Sequence, residues 1–151
     1  MAEAEERLRF NEMFHIEGGN FINAGAISSR VKKILKEAGF PGKIIRRTSI
    51  AAFEAEMNVI CYANHGNLSL LITPSFLKVV VKDEGIGIPD VTLAMREGYS
   101  TANEEIRELG FGAGMGLSNI KKNTDEMILT SESGQGTHLE FIIYLDKQNE
   151  G

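Results

Sequence analysis

Apolar positions change their period several times along this chain. Residues 8–16, Leu-Arg-Phe-Asn-Glu-Met-Phe-His-Ile, alternate loosely between apolar and polar, and Gly18 with Gly19 ends the run. That pattern predicts an edge strand. From Phe21 the spacing lengthens: Ala24, Ile27, Val31, Ile34, Leu35 and Ala38 recur every three or four residues as far as Gly39, which predicts an amphipathic helix closed by its glycine. Pro41 and Gly42 make a turn. A second helix is predicted to carry Ile50, Phe53, Met57, Ile60 and Cys61 on one stripe and to stop near Asn64, His65 and Gly66.

Period two then returns. Residues 67–73 and 76–82 read as a hairpin around Thr73, Pro74 and Ser75, with Leu77, Val79 and Val81 alternating against Lys78, Val80 and Lys82. A third helix is predicted from Gly116 to about Glu126, with Leu117, Ile120 and Lys121 at helical spacing. Strands over 127–132 and 137–145 flank Ser133, Gly134, Gln135 and Gly136. Strand, two helices, hairpin, helix, hairpin is not the alternation of a parallel doubly wound sheet. The order predicts an α+β two-layer sandwich, a mostly antiparallel sheet with helices on one face. With 151 residues, one domain is expected, its core spanning about 10–145.

Charge narrows the partners. Sixteen Lys and Arg against 21 Asp and Glu give a net charge of −5, which argues against nucleic acid, whose phosphates require a clustered basic excess. No basic-then-apolar leader opens the chain and no apolar run approaches the roughly 18 residues of a membrane span, so a cytoplasmic protein without a membrane partner is expected. The single cysteine, Cys61, reads as a small core filler. His15, His65 and His138 show no metal spacing. Glycine is the exception: seven of 16 (Gly85, Gly87, Gly98, Gly110, Gly112, Gly114, Gly116) fall within residues 85–116, where average usage predicts about two.

Glycine-rich segments before helices suggest phosphate binding, because amides freed of side chains at a helix start bind anions. The common forms fail. The only Gly-Lys pair, Gly42-Lys43, is followed by Ile44, and a dinucleotide fingerprint begun at Gly85 or Gly112 would need glycine at Asp90 or Leu117. No His-Arg-Asp or Asp-Phe-Gly triplet occurs. Four other elements stand in order: Glu54 and Asn58, four apart on one helix face; Asp83-Glu-Gly85-Ile-Gly87 after a strand; Gly110-Phe-Gly112-Ala-Gly114-Met-Gly116 opening a helix; and Gly136-Thr137 opening the last strand.

In these four elements the chain resembles the Bergerat-fold (GHKL) ATPases, whose N box, two glycine boxes and final Gly-Thr come in this order. Its size, Ile88-Pro89-Asp90 and Glu97-Gly-Tyr-Ser-Thr101 are similar to the anti-sigma-factor serine kinases, especially the switch-protein kinases of bacterial stress modules. The resemblance covers about residues 10–145. It implies a serine/threonine protein kinase using ATP and Mg²⁺, with Glu54 as general base, Asn58 as the Mg²⁺ ligand and Asp83 accepting a hydrogen bond from the adenine amino group. By the same resemblance, the Thr137 hydroxyl supports Asp83. Gly85, Gly87 and Ile88 would lie at the base, and Gly110, Gly112, Gly114, Met115 and Gly116 at the phosphates. Residues 90–110 would form a lid, with Arg107 touching the terminal phosphate.

The implied partner is a small antagonist or switch protein carrying the phosphoacceptor serine or threonine, with a sigma factor or a phosphatase as the switched target and a homodimer as a further possibility. An alternative of another class is a nucleotide-gated binding module that sequesters its partner with negligible kinase turnover. Glu54 separates the two, because a pure binder has no need of a base.

Overall fold

In a computed structural model of the chain, the residues described are 10–85, 116–132 and 135–145. Strand β1 (Phe10–Glu17) leads through a short 3-10 turn (Phe21–Asn23) into helix α1 (Ala26–Glu37) and the long helix α2 (Gly42–Tyr62). Strands β2 (Ala63–Ile72) and β3 (Phe76–Gly85) follow, then helix α3 (Gly116–Asn123) and strands β4 (Glu126–Glu132) and β5 (Gly136–Tyr144). All pairings are antiparallel, in the order β1-β2-β3-β5-β4, so the predicted edge strand is an edge. The helices cover one face, giving the two-layer α+β sandwich expected. None of the described helices is long and apolar enough to cross a membrane.

Alternation decides which strand residues face the helices. Leu68, Leu70, Leu77, Val79, Leu139, Phe141 and Ile143 are buried against them, while Lys78, Lys82 and the three histidines project from the other face or strand margins. Val31 and Leu35 from α1 and Leu117 and Ile120 from α3 complete one core. Each such aliphatic side chain contributes about 1.5–3 kcal/mol by leaving water. Cys61 is half-buried on the edge of this core. Burial pushes its thiol up to about 11, so it stays protonated and unreactive at neutral pH.

Two expectations about α2 need correction. The buried apolar positions are Ile44, Ala51, Ala52, Ala55, Met57, Val59 and Ile60, with Thr48 among them, so Met57 and Ile60 are buried as expected, whereas Ile50 and Phe53 lie exposed at the margin. Three alanines and Thr48 fill the middle of this face, between the larger Ile44 and Met57, Val59 and Ile60. The helix also gives way to β2 at once, at Ala63, whose backbone is already extended. Asn64, His65 and Gly66, which read as a stop and a turn, are strand residues. Polar His65 faces outward opposite Glu17, and Gly66 is buried where a Cβ would lie 2.8 Å from the Lys82 carbonyl oxygen. Helix α3 is shorter than predicted, ending at Asn123, because Asp125 turns the chain into β4. The Asp125 carboxylate accepts hydrogen bonds from Arg47 at 3.0 Å and from the Tyr144 amide at 2.8 Å.

A candidate nucleotide site between the sheet end and two helices

Two groups of predicted residues are held by different means. The first sits where β3, β5 and β4 run side by side. Asp83 is opposite Thr137 in the register, and Ser131 is opposite Thr137 on the other side. The Thr137 amide donates to Asp83 Oδ1 at 3.0 Å. Support for Asp83 therefore comes through the backbone of Thr137 and not, as expected, through its hydroxyl. The Thr137 hydroxyl is turned to Ser131 Oγ at 3.2 Å, and Ser131 in turn donates to the Gly136 carbonyl at 3.0 Å. Burial pushes the Asp83 carboxyl above its ordinary value, opposed by the Thr137 amide, which favours the charged form. Among the described residues Oδ2 accepts no hydrogen bond, which leaves one acceptor of a half-buried carboxylate for a ligand donor.

Glycine is required beside it. Gly136 has φ +146°, and a Cβ there would fall 2.1 Å from the Asp83 carbonyl oxygen, so only glycine lets β5 begin this close to β3. Gly85 is used in a similar way, since a Cβ would lie 2.8 Å from the Ala63 Cα. Its missing side chain makes room for β2.

The second group lies between α2 and α3. Glu54 and Asn58 are half-buried, one turn apart on the face of α2 that meets the start of α3. A Cβ at Gly116 would stand 3.5 Å from Glu54 Oε1 and 3.6 Å from Asn58 Oδ1, so both oxygens face the start of α3, and a side chain there would lie against them. Asn119, one turn into α3, donates from Nδ2 to Glu54 Oε2 at 3.0 Å. Only its position three residues after Gly116 marks Asn119 in the sequence.

Glu56, two residues from Glu54, was also missed. It is 1% exposed and turns toward α1, where its carboxylate accepts the amides of Gly25 (3.1 Å), Ile27 (3.3 Å) and Ser28 (3.0 Å). These are orphan donors of the helix start, and the negative charge meets the positive end of the α1 dipole. A tertiary carboxylate thus replaces the local cap that α1 lacks, since Gly25 makes no side-chain cap.

Of the remaining predicted residues, Gly87, Ile88, Arg107, Gly110, Gly112, Gly114 and Met115 lie outside the described residues. The groups that are described fit a magnesium nucleotide. Asn58 offers a neutral, hard oxygen, and among the described residues no cluster of three His, Cys, Asp or Glu could hold a metal alone. A cation here would draw its other ligands from phosphates and water, the habit of Mg²⁺.

Comparison with known proteins shows the family. Residues 44–149 match the family described as histidine kinase-, DNA gyrase B-, and HSP90-like ATPase. The serine/threonine-protein kinase RsbT of Bacillus subtilis (strain 168) is 31% identical over 118 residues, 76% of this chain and 83% of that protein. An anti-sigma F factor of Geobacillus stearothermophilus is 34% identical over 100 residues, 62% of each chain. Another, from Caldanaerobacter subterraneus subsp. tengcongensis, is 31% identical over 102 residues, 64% of this chain and 68% of that one. The chain therefore spans less than two thirds of the Geobacillus factor's length. With the matched segment running from α2 through β5 and the predicted Bergerat sandwich present, this chain belongs to the histidine kinase-, DNA gyrase B- and HSP90-like ATPase family.

Proposed function

We propose that this chain is a Mg-ATP-dependent serine/threonine protein kinase that phosphorylates a small antagonist or switch protein in a bacterial partner-switching module, acting from its single domain in the cytoplasm. Its relatives' names, a serine/threonine-protein kinase and anti-sigma F factors, support the reading. The observation that carries it is the convergence of Glu54 and Asn58 on Gly116, which puts a carboxylate and an amide oxygen at the start of the glycine-led helix.

The adenine amino group donates to the open oxygen of Asp83. Guanine is rejected there, because its carbonyl would face a carboxylate with no proton between them. Asn58 would hold Mg²⁺ through Oδ1, and the ion would supply charge neutralisation at the phosphates. Glu54 Oε1 takes the proton of the protein hydroxyl as its oxygen bonds to the γ-phosphorus and the bond to ADP breaks. Catalysis is mainly positioning and charge neutralisation, since phosphoryl transfer asks for little covalent work from the protein.

Glu54→Ala tests this reading. ATP affinity by calorimetry should stay within a few fold while phosphotransfer to the partner protein falls by about 10²–10⁴, the usual range for a general base. Loss of affinity and transfer together would make Glu54 a structural residue instead.

A further inference from the structure

Helices α2 and α3 are joined by polar links that form a seam. Arg47 and Glu54 stand seven residues apart on α2, and Asn119 and Asn123 four apart on α3, so each pair shares one helix face. Arg47 Nε donates to the Asn123 carbonyl at 3.1 Å and its guanidinium pairs with Asp125 at 3.0 Å. Asn123 Nδ2 donates to the Asn119 carbonyl at 2.8 Å, and Asn119 Nδ2 donates to Glu54 Oε2 at 3.0 Å. The seam ends on the proposed base.

We propose that Asn119 is a positioning residue that fixes the Glu54 carboxylate for proton transfer. The inference rests on the reading of Glu54 as the base. An ionised carboxylate only accepts hydrogen bonds, so the Asn119 side chain must present its NH₂ to it. Binding Oε2 leaves Oε1 as the oxygen beside Gly116, the side from which substrate phosphate approaches. The choice of an amide is chemically apt. A lysine or arginine in its place would also orient the carboxylate, but its charge would compete with the proton that a base must accept. Because Asn119 lies one turn from Gly116 on the same helix, the turn that meets the phosphates also sets the base.

The test uses the full chain with Mg-ATP and water as the acceptor, measuring ADP and phosphate formed in a single turnover. Asn119→Ala should slow phosphate release by about tenfold, a modest share of what a well-placed base provides. Asn119→Asp, of the same shape but presenting a carboxylate to a carboxylate, should slow it further. ATP affinity by calorimetry should stay within about twofold for both, as expected of a group acting only on the chemical step. In a Glu54→Gln background neither substitution should have any further effect, which separates action through Glu54 from general destabilisation.

A second readout is independent of turnover. In amide proton–nitrogen spectra, Glu54→Gln should shift the side-chain NH₂ pair that disappears in Asn119→Ala. Full turnover in Asn119→Ala beside an inactive Glu54→Gln would overturn the role of Asn119, as would an additive loss in the double variant. Full turnover in Glu54→Gln would overturn the assignment of the base, even with the spectral shift intact.

Discussion

The two walls of the candidate site are built differently. On the proposed adenine side, Asp83 is placed by strand register: its partner is the backbone amide of Thr137 in the facing strand, and Gly136 lets that strand press against it. On the proposed phosphate side, Glu54, Asn58 and Asn119 come from two helices, and a side-chain hydrogen bond joins Asn119 to Glu54. Register is set by the whole sheet, so a single substitution at Asp83 changes the chemistry of the wall without moving it. The helical wall depends on how α2 and α3 are docked through their polar links, so a substitution in those links changes where its groups stand.

The sharpest way to break this contrast is to loosen α2 while leaving the sheet alone. Glu56→Ala leaves three amides at the start of α1 without their acceptor and should cost about 3 kcal/mol of stability in urea titration. If the midpoint hardly moves, α2 is not held to α1 in the way the carboxylate indicates. On the other wall, Asp83→Asn should weaken ATP binding by about 1.5–3 kcal/mol, roughly 10- to 150-fold, with folding stability little changed. Unchanged affinity would refute the placing of adenine at β3.

Acid should have a related but smaller effect. Because burial raises the Asp83 carboxyl, it takes up its proton at a higher pH than an ordinary aspartate. ATP affinity should accordingly fall as pH drops through that range, and this component should be missing in Asp83→Asn, which controls for protonation of ATP itself. The sign for folding is opposite: a carboxyl raised in the folded state opposes folding when ionised, so its penalty is relieved as pH falls through the folded value. The smallest effect is expected at Thr48, fully buried on the core face of α2 with a hydroxyl that finds no partner among the described residues. Thr48→Val should raise stability by about 1 kcal/mol and leave ATP binding unaltered.

Much of this was legible in sequence where chemistry and periodicity coincide. Asp83 follows a clean alternating strand, Gly136-Thr137 opens another, and the four-residue spacing of Glu54 and Asn58 places both on one helix face. The core face of α2 was only partly legible: Met57 and Ile60 lie on it, but Ile50 and Phe53 outweigh Ala51, Ala52 and Ala55 in any reading by hydrophobicity. Glu56 escaped notice because a helix glutamate is ordinarily solvated, and only the tertiary approach of α1 shows its use. Asn119 was hidden for the same reason: its partner lies 65 residues away on another helix. The short step from Tyr62 into β2 was masked by polar Asn64 and His65, which mimic a turn while serving as strand residues.

The most direct measurement of the central claim is calorimetric titration of the purified protein with ATP and GTP, each with and without Mg²⁺. The account predicts that ATP binds in preference to GTP, because Asp83 accepts the adenine amino group, and that Mg²⁺ strengthens binding through Asn58. Equal affinity for the two nucleotides, or no binding of either, would contradict it.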